Sequence, residues 1–336
     1  MAKRVTIKDV ASEVGLSAST VSIVLNGKGA SVPKKTQDRI FAAAEKLHYT
    51  PNQTARSLVI GKTSLIGVIV PSVTNVFFAE LVRWLQKKFV KYGYDIVLSN
   101  NEERVDKDIK YVNLLAGRNI DGLVIAPSAQ SLLPENEGEL MKNLQDLSVP
   151  FLFMDRYVKG YPHVAIDNVE SGYAIADHLR KSGHQKIGVV TGPLQLNSSK
   201  NRLKGFSKRL AEDGIVLAPE YVYEGQYDIE TGELAARKLM ETDVTAICVF
   251  SDMQAYGVYK ALRAMGKRIP EDVSVAGFDD NVFSELLECP LTTMRQPLEE
   301  LAEATVQTML QMLDGKVQEN QKLSAVLIER ESVKKI

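Results

Sequence analysis

Seven short apolar runs recur between residues 65 and 280: "LIGVIV", "YDIVLS", "GLVIA", "PFLFMD", "KIGVVTG", "AICVF" and "VSVAGFDD". A strand with one wet face alternates polar and apolar residues, so runs without alternation belong to strands buried on both faces. Between them lie helical patterns such as "FFAELVRWLQKKFVKYG", "SGYAIADHLRKSG", "NRLKGFSKRLAEDG" and "DMQAYGVYKALRAMG", each closing on Gly. This alternation predicts parallel sheets with helices on both sides. Both halves repeat the order, which predicts two similar lobes meeting near residue 163.

The remaining N-terminal stretch differs in charge. Residues 1–62 hold ten Lys and Arg against four Asp and Glu, a surplus of six positive charges, so the chain's net −1 leaves about −7 on residues 63–336. A basic head on an acidic body predicts a polyanionic partner for the head. Two cysteines make no disulfide framework, and Cys248 inside "AICVF" reads as a small buried hydrophobe. None of the four histidines stands in metal-ligand spacing with another His or a Cys, so neither a metal nor a cofactor is expected. The start "MAKRVTIKDV" has no apolar core of a signal peptide and no window approaches 18 apolar residues, which predicts a cytoplasmic protein with no membrane partner.

The head reads as three short helices. Thr6 caps "IKDVASEV", with Ile7, Val10, Ala11 and Val14 on one face, and Gly15 ends it. Ser17 caps "ASTVSIVLN", whose Val21, Val24 and Leu25 face inward while Ala18, Ser19, Ser22 and Ile23 share the other side. Pro33 opens a third helix, with Ile40, Phe41, Ala44 and Leu47 as its apolar stripe. Two helices joined by a tight Gly turn in a basic surround fit a helix-turn-helix, whose second helix enters a DNA major groove. "TPNQTARSLVIGKTS" then links head to body. Pro51 and Asn52 supply a stop and a cap, and "QTARSL" is too short to hold a helix unaided. "GKTS" at 61–64 is no phosphate loop, because Arg56 stands where that motif needs Gly and the stretch precedes a strand.

"VTIKDVASEVGLSASTVSIVLNG" with "YTPNQTARSL" resembles the DNA-binding head of the LacI/GalR family of bacterial repressors. The resemblance implies an all-α helix-turn-helix domain at 1–50, a hinge helix and linker at 51–62, and an effector-binding and dimerisation body at 63–336. It implies bases read by Ala18, Ser19, Thr20, Ser22 and Ile23, with Thr6, Ser17 and Asn26 at the DNA-facing helix ends. In the hinge it implies Asn52, Thr54, Ala55 and Arg56 along the DNA, and Leu58 wedged between base steps in the minor groove. Many family members carry Arg at position 23, suited to guanine. Ile23 offers only apolar contact, for example to a thymine methyl, and a packed side chain is the alternative.

Ligands of open parallel sheets bind at the carboxyl ends of strands. Those ends carry Asn75 with Phe77 and Phe78, then Asp155 and Arg156, a loop running to Arg202, then Ser251 and Asp252, then Asp279 and Asp280. Aromatic faces ringed by amide, carboxylate and guanidinium suit a polyol, with C–H faces on rings and hydroxyls on the polar groups. The body also resembles the two-lobed periplasmic sugar-binding fold, on "TNVFF", "MDR", "RLKGF" and "GFDD". That resemblance implies a first lobe at about 63–162 and 293–323, a second at 163–292 and 324–336, and a ligand set of Asn75, Phe77, Phe78, Asp155, Arg156, Arg202, Tyr227, Asp279 and Gln296. Ser251 joins the set where sugar binders often have Asn, a departure that weakens ribose, the first ligand expected, against a hexose or a nucleoside.

Some relatives use a phosphorylated carrier protein as co-repressor, held by a basic residue on the helix after the "TT..QP" strand. Here that helix, "LEELAEATVQTMLQML", is acidic at its start and lacks Lys and Arg, which speaks against such a partner. Leu298, Leu301, Ala304, Thr305 and Leu310 on it, with "FFAELVRWLQKKF", make either an intramolecular stripe or a dimer face, and a homodimer is expected. No nucleophile elbow and no His beside a Ser or Cys points to an enzyme. The sequence reading is a repressor of a sugar-utilisation operon, binding double-stranded operator DNA and a small sugar.

Overall fold

The computed structural model describes residues 5–25, 31–49, 62–316 and 319–336. The chain divides into two units, Met1–Thr63 and Ser64–Ile336. In the first, α1 (Ile7–Val14), α2 (Ala18–Leu25) and α3 (Lys34–Lys46) enclose one small core of Val10, Val14, Val21, Val24, Ile40 and Ala44. Local chemistry sets the helix ends. Thr6 and Asp9 form a reciprocal capping box, with Asp9 Oδ2 accepting from the Thr6 N–H at 2.7 Å. Gly15 takes the left-handed conformation that ends α1 (φ 66°), and Ser17 Oγ accepts from the Thr20 N–H at 3.1 Å. Arg39 belongs to the scaffold, since it donates to the Val14 carbonyl at the end of α1. The stripe of α3 differs from expectation at one position. Ile40, Ala43 and Ala44 are buried while Phe41, a third of a turn off, is 47 % exposed.

The second unit holds two six-stranded sheets. The first runs in the order β11 (Gln321–Leu323), β5 (His163–Ile166), β4 (Phe151–Met154), β3 (Gly122–Ile125), β1 (Leu65–Val70), β2 (Asp95–Asn100). All its pairs are parallel. The second runs β12 (Val326–Ile328), β10 (Thr292–Arg295), β9 (Ser274–Asp279), β8 (Ala246–Val249), β6 (Ile187–Thr191), β7 (Val222–Glu224), with only β12 antiparallel.

The central strands β1, β3 and β4 of the first sheet and β6, β8 and β9 of the second feed a core on both faces, which is why their runs show no alternation. Ile66, Val68 and Val70 of β1 pack beneath α4 (Val76–Phe89) and α11 (Leu298–Leu313). Ile69 packs instead against α5 (Val105–Ala116) and α6 (Pro134–Gln145). In the second lobe α9 (Ile229–Leu239) and α10 (Asp252–Ala264) cover one face, and α7 (Asn168–Lys181) and α8 (Asn197–Glu212) the other. Cys248 lies in this second core, wholly buried, and burial pushes its thiol pKa up.

The chain passes between lobes three times: after β5, after β10 at Gln296 and Pro297, and between β11 and β12. The first crossing therefore follows Ile166 rather than residue 162, because "HVAI" is a fourth-strand neighbour too short to stand out as an apolar run. Thr292–Arg295 likewise pairs in the second sheet, so the return falls a few residues beyond 293. The apolar stripe of α11 is intramolecular. Leu301 and Thr305 are wholly buried, and Leu298, Ala304 and Leu310, partly buried, pack against the first-lobe core.

Candidate ligand cleft and DNA-reading helix

The carboxyl ends of the strands converge on a cleft between the lobes. All ten residues expected to hold a ligand line it, namely Asn75, Phe77, Phe78, Asp155, Arg156, Arg202, Tyr227, Ser251, Asp279 and Gln296, together with Ser198 and Phe250. The free volume of this inner part is about 20 Å3, room for roughly one water. The lobes are already in contact, with Leu196 of the second inside a first-lobe core and the Tyr157 N–H donating to Asn197 Oδ1 at 3.3 Å.

The first lobe supplies the aromatic wall. Asn75 caps α4 by accepting from the Phe77 N–H at 3.0 Å, which turns Phe77 and Phe78 inward as an edge-to-face pair 4.9 Å apart. Beyond β4, Asp155 sits at φ 63°, a left-handed conformation disfavoured for a non-glycine residue. Its neighbour Arg156 is 2 % exposed and lies over the Phe78 ring at 5.3 Å. Arg156 Nη1 donates to Glu103 Oε2 at 2.8 Å and to the Pro127 carbonyl at 3.2 Å.

The second lobe supplies the opposite wall. Gly172 on α7 lets α8 approach so closely that a Cβ there would lie 2.1 Å from the Arg202 carbonyl. Arg202 then reaches the cleft floor, donating to Asn168 Oδ1 at 2.7 Å and to the Phe250 carbonyl at 2.5 Å, with its guanidinium 4.4 Å from the Phe278 ring. Tyr227 covers Gly192, and its hydroxyl is 2.6 Å from Ser199 Oγ. Asp279, at φ 122°, accepts from Ser251 Oγ at 3.0 Å and from Gln296 Nε2 at 2.5 Å. Gln296 lies on the crossing after β10, so this bond ties the carboxylate to the lobe connection.

Burial raises the Asp279 pKa to about 6, against the pull of Arg202, and pushes Asp155 up against both arginines. Asp252 stands behind Asp279. It is wholly buried, accepts from Ser284 Oγ, Thr293 Oγ1 and the Asn281 N–H, and burial followed by the Asp279 charge drives its pKa well up. Asp280 turns away to pair with Arg295. Among the described residues, three buried polar atoms of the cleft have no partner within the protein: Asp155 Oδ1, Arg156 Nε and Gln296 Oε1. Buried polar atoms are almost always paired, so two acceptors and one donor are left unsatisfied in the cleft.

In the head, α2 carries Ser19 and Ile23 exposed and Ala18 and Ser22 half-buried on one side, with Val21 and Val24 buried on the other; Ser17, just before the helix, is exposed and Thr20 is half-buried. Ile23 is 44 % exposed, which removes the packed alternative. Thr6 is exposed at the start of α1. Asn26, Asn52, Thr54, Ala55, Arg56 and Leu58 lie outside the described residues.

Comparison with known proteins finds a family match within each of the two units. Residues 6–52 match the family "Bacterial regulatory proteins, lacI family", and residues 176–333 match a periplasmic binding protein-like domain. The HTH-type transcriptional repressor PurR of Aliivibrio salmonicida (strain LFI1238) is 34 % identical over 98 % of this chain and 99 % of its own length. The chain belongs to the LacI family. It is a DNA-binding transcriptional regulator. Another LacI-family relative, the ribose operon repressor of Halalkalibacterium halodurans, is 33 % identical over 93 % of this chain and 91 % of its own. A solved lac repressor dimer bound to operator and the anti-inducer ONPF superposes with a TM-score of 0.88, at 29 % identity over 99 % of this chain and 100 % of that one.

Sequence reasoning missed three residues of this LacI-family cleft. Ser198 lies in the first turn of α8, the helix that carries Arg202, and Phe250 directly follows β8, so both stood beside positions already singled out. Glu103 gave no signal, since "NNEERVDKD" reads as a solvated loop. Among the described residues no helix is long and apolar enough to cross a membrane and no group of three His, Cys, Asp or Glu side chains gathers as a metal site.

Proposed function

We propose that this protein is a dimeric, cytoplasmic repressor of a carbohydrate-utilisation operon whose affinity for operator DNA is set by a small neutral sugar in the cleft, D-ribose first. The observation that carries the ligand is the trio of unpartnered buried atoms, Asp155 Oδ1, Arg156 Nε and Gln296 Oε1, beside the rings of Phe77, Phe78 and Tyr227. Asn75, Arg202, Ser251 and Asp279 complete the polar ring. The printed name of the ribose operon repressor supports the choice of sugar, and the operator-bound lac repressor supports a dimer on DNA. Half-exposed Leu98 and Leu114 on the first lobe, with Val282, Phe283 and Leu286 on the second, are apolar surface of the kind a second copy covers.

DNA is read by Ala18, Ser19, Thr20, Ser22 and Ile23 in the major groove, with Thr6, Ser17 and Asn26 near the backbone. The hinge, Asn52, Thr54, Ala55, Arg56 and Leu58, folds in the minor groove only when both bodies hold their hinges at one separation. Parting or closing the lobes moves those attachment points, which couples sugar to operator by ~1–3 kcal/mol, about 5- to 150-fold in affinity.

A nucleoside is the second reading, favoured by a cavity of about 420 Å3 at the cleft mouth that shares Asn75, Phe78 and Tyr227 and gives a base somewhere to lie. Thermal melting with sugars and nucleosides at ~1 mM tests both, because a ligand of the folded state raises the midpoint by mass action. A shift with one compound, lost in Arg156→Ala and Asp279→Ala, identifies it. No shift with any of them refutes the ligand assignment and leaves the DNA-binding role standing.

A further inference from the structure

Glu103 joins the two compartments of the cleft. Its side chain lines the mouth, and its Oε2 accepts both from Arg156 Nη1 and from the Ala129 N–H at 2.8 Å. The backbone is bent to achieve this. Glu102 and Glu103 are both left-handed, at φ 53° and 58°, and the Glu103 N–H is held by Asn101 Oδ1 at 2.9 Å. Two consecutive non-glycine residues in that region persist only where surroundings enforce them. The enforced geometry delivers one carboxylate to one buried guanidinium. Burial works against the Glu103 charge, but Arg156 outweighs it and holds the carboxyl below its ordinary range, so Glu103 is ionised at neutral pH.

The consequence is in the charge count. Arg156 and Arg202 are the cleft's buried cations. Glu103 neutralises the first and Asp279 faces the second, before Asp155 adds any charge. The mouth offers an anion no free cation among the described residues: Asp228 lines it, Glu102 there is paired with Lys107, and Arg104 is paired with Asp106. Without Glu103, Arg156 would be a desolvated cation that has lost its one hydrogen-bonded carboxylate and keeps only the adjacent Asp155 for compensation, an arrangement closer to those that capture phosphate or carboxylate.

We propose that Glu103 is the specificity-determining residue that makes this a site for neutral sugars and closes it to their phosphate esters, acting through Arg156. The inference rests on the sugar reading above and deepens it. Among the described residues, Arg156 is the inner-cleft residue to which Glu103 is hydrogen-bonded, so Glu103 is a positioning residue with an electrostatic effect at a distance.

The test is calorimetric titration of the full chain with D-ribose and D-glucose, each against its terminal phosphate ester, in wild type, Glu103→Gln and Glu103→Asp. Gln keeps the volume and can still accept from the Ala129 N–H while removing the charge. Wild type should bind the neutral sugar at least ~100-fold more tightly than its ester. Glu103→Gln should narrow that ratio by ~10-fold or more, chiefly by tightening the ester, and Glu103→Asp should keep it wide. A ratio unchanged in Glu103→Gln means that rejection is steric and overturns the proposal while the sugar reading stands. Wild type binding the ester as tightly as the sugar does the same. Binding of neither sugar nor ester to any of the three overturns both.

Discussion

Asp279→Asn should stabilise the protein at high pH while weakening its ligand. Asp279 is 7 % exposed and its pKa is raised by burial from 3.8 to about 6. Asp252 behind it is raised too, so the first ionisation of the pair falls on Asp279. A raised carboxyl pKa means the folded state prefers the proton. The group's contribution is intact below the unfolded value and is lost as pH climbs through the folded one. At ~1.4 kcal/mol per pKa unit, ionising Asp279 costs the fold about 3 kcal/mol at pH 8, about 1 kcal/mol at pH 4.5 and almost nothing at pH 3.

Asn mimics the neutral form and tolerates the positive φ of this position, and its oxygen can still accept from Gln296. It leaves the Asp252 N–H, 3.3 Å from Oδ2, without its acceptor, an offset of about 1 kcal/mol. The net expectation is a variant about 2 kcal/mol more stable than wild type at pH 8 and level with it at pH 4.5. Urea unfolding followed by circular dichroism at the two pH values measures this, and ribose affinity should fall ~10- to 100-fold with the loss of a charged acceptor. A variant less stable than wild type at pH 8, or an equal difference at both pH values, refutes the assignment of a buried ionised carboxylate kept for binding.

Other expectations concern the wall and the head. Gly192→Ala places a Cβ 2.4 Å from the Tyr227 ring, so sugar affinity should drop ~10-fold or more while operator binding without sugar is unchanged, as read by titration and by mobility shift. Ile23→Arg should shift the preferred base at one position of each half-site toward guanine in a site-selection experiment, and identical selected sites would sink the contact. Operator affinity should fall steeply with salt, log K dropping by about 0.9 per phosphate contact for each decade, and a flat response would argue against the head's charge surplus as the DNA footprint.

The layered body was legible because burial on both faces removes alternation. Ile66 and Val68 feed one core and Ile69 the other, so "LIGVIV" could be read without knowing which side each residue took. What escaped notice was edge and short structure. "VYE" and "QKL" are three-residue strands at sheet edges, partly exposed, and "HVAI" opens on a histidine, so none carries enough apolar length to rise above a loop. The lobe crossings shifted for the same reason.

The cleft was legible to the extent that strand ends are. Asn75, Asp155, Ser251 and Asp279 each follow a run that could be seen, and parallel topology sends all such ends to one edge, so finding the strands located the residues. Whether each residue serves a ligand or only its own helix was not legible. Asn75 and Ser251 cap α4 and α10 and also line the cleft, and sequence cannot separate two roles that share one position. Glu103 shows the deeper limit. Its place beside Arg156 depends on two left-handed residues in a polar loop and on a neighbour more than fifty positions away, and neither leaves a periodicity or a composition to read. The residues that set charge inside a cleft are thus the ones a linear pattern hides best, because their partners come from packing rather than from spacing.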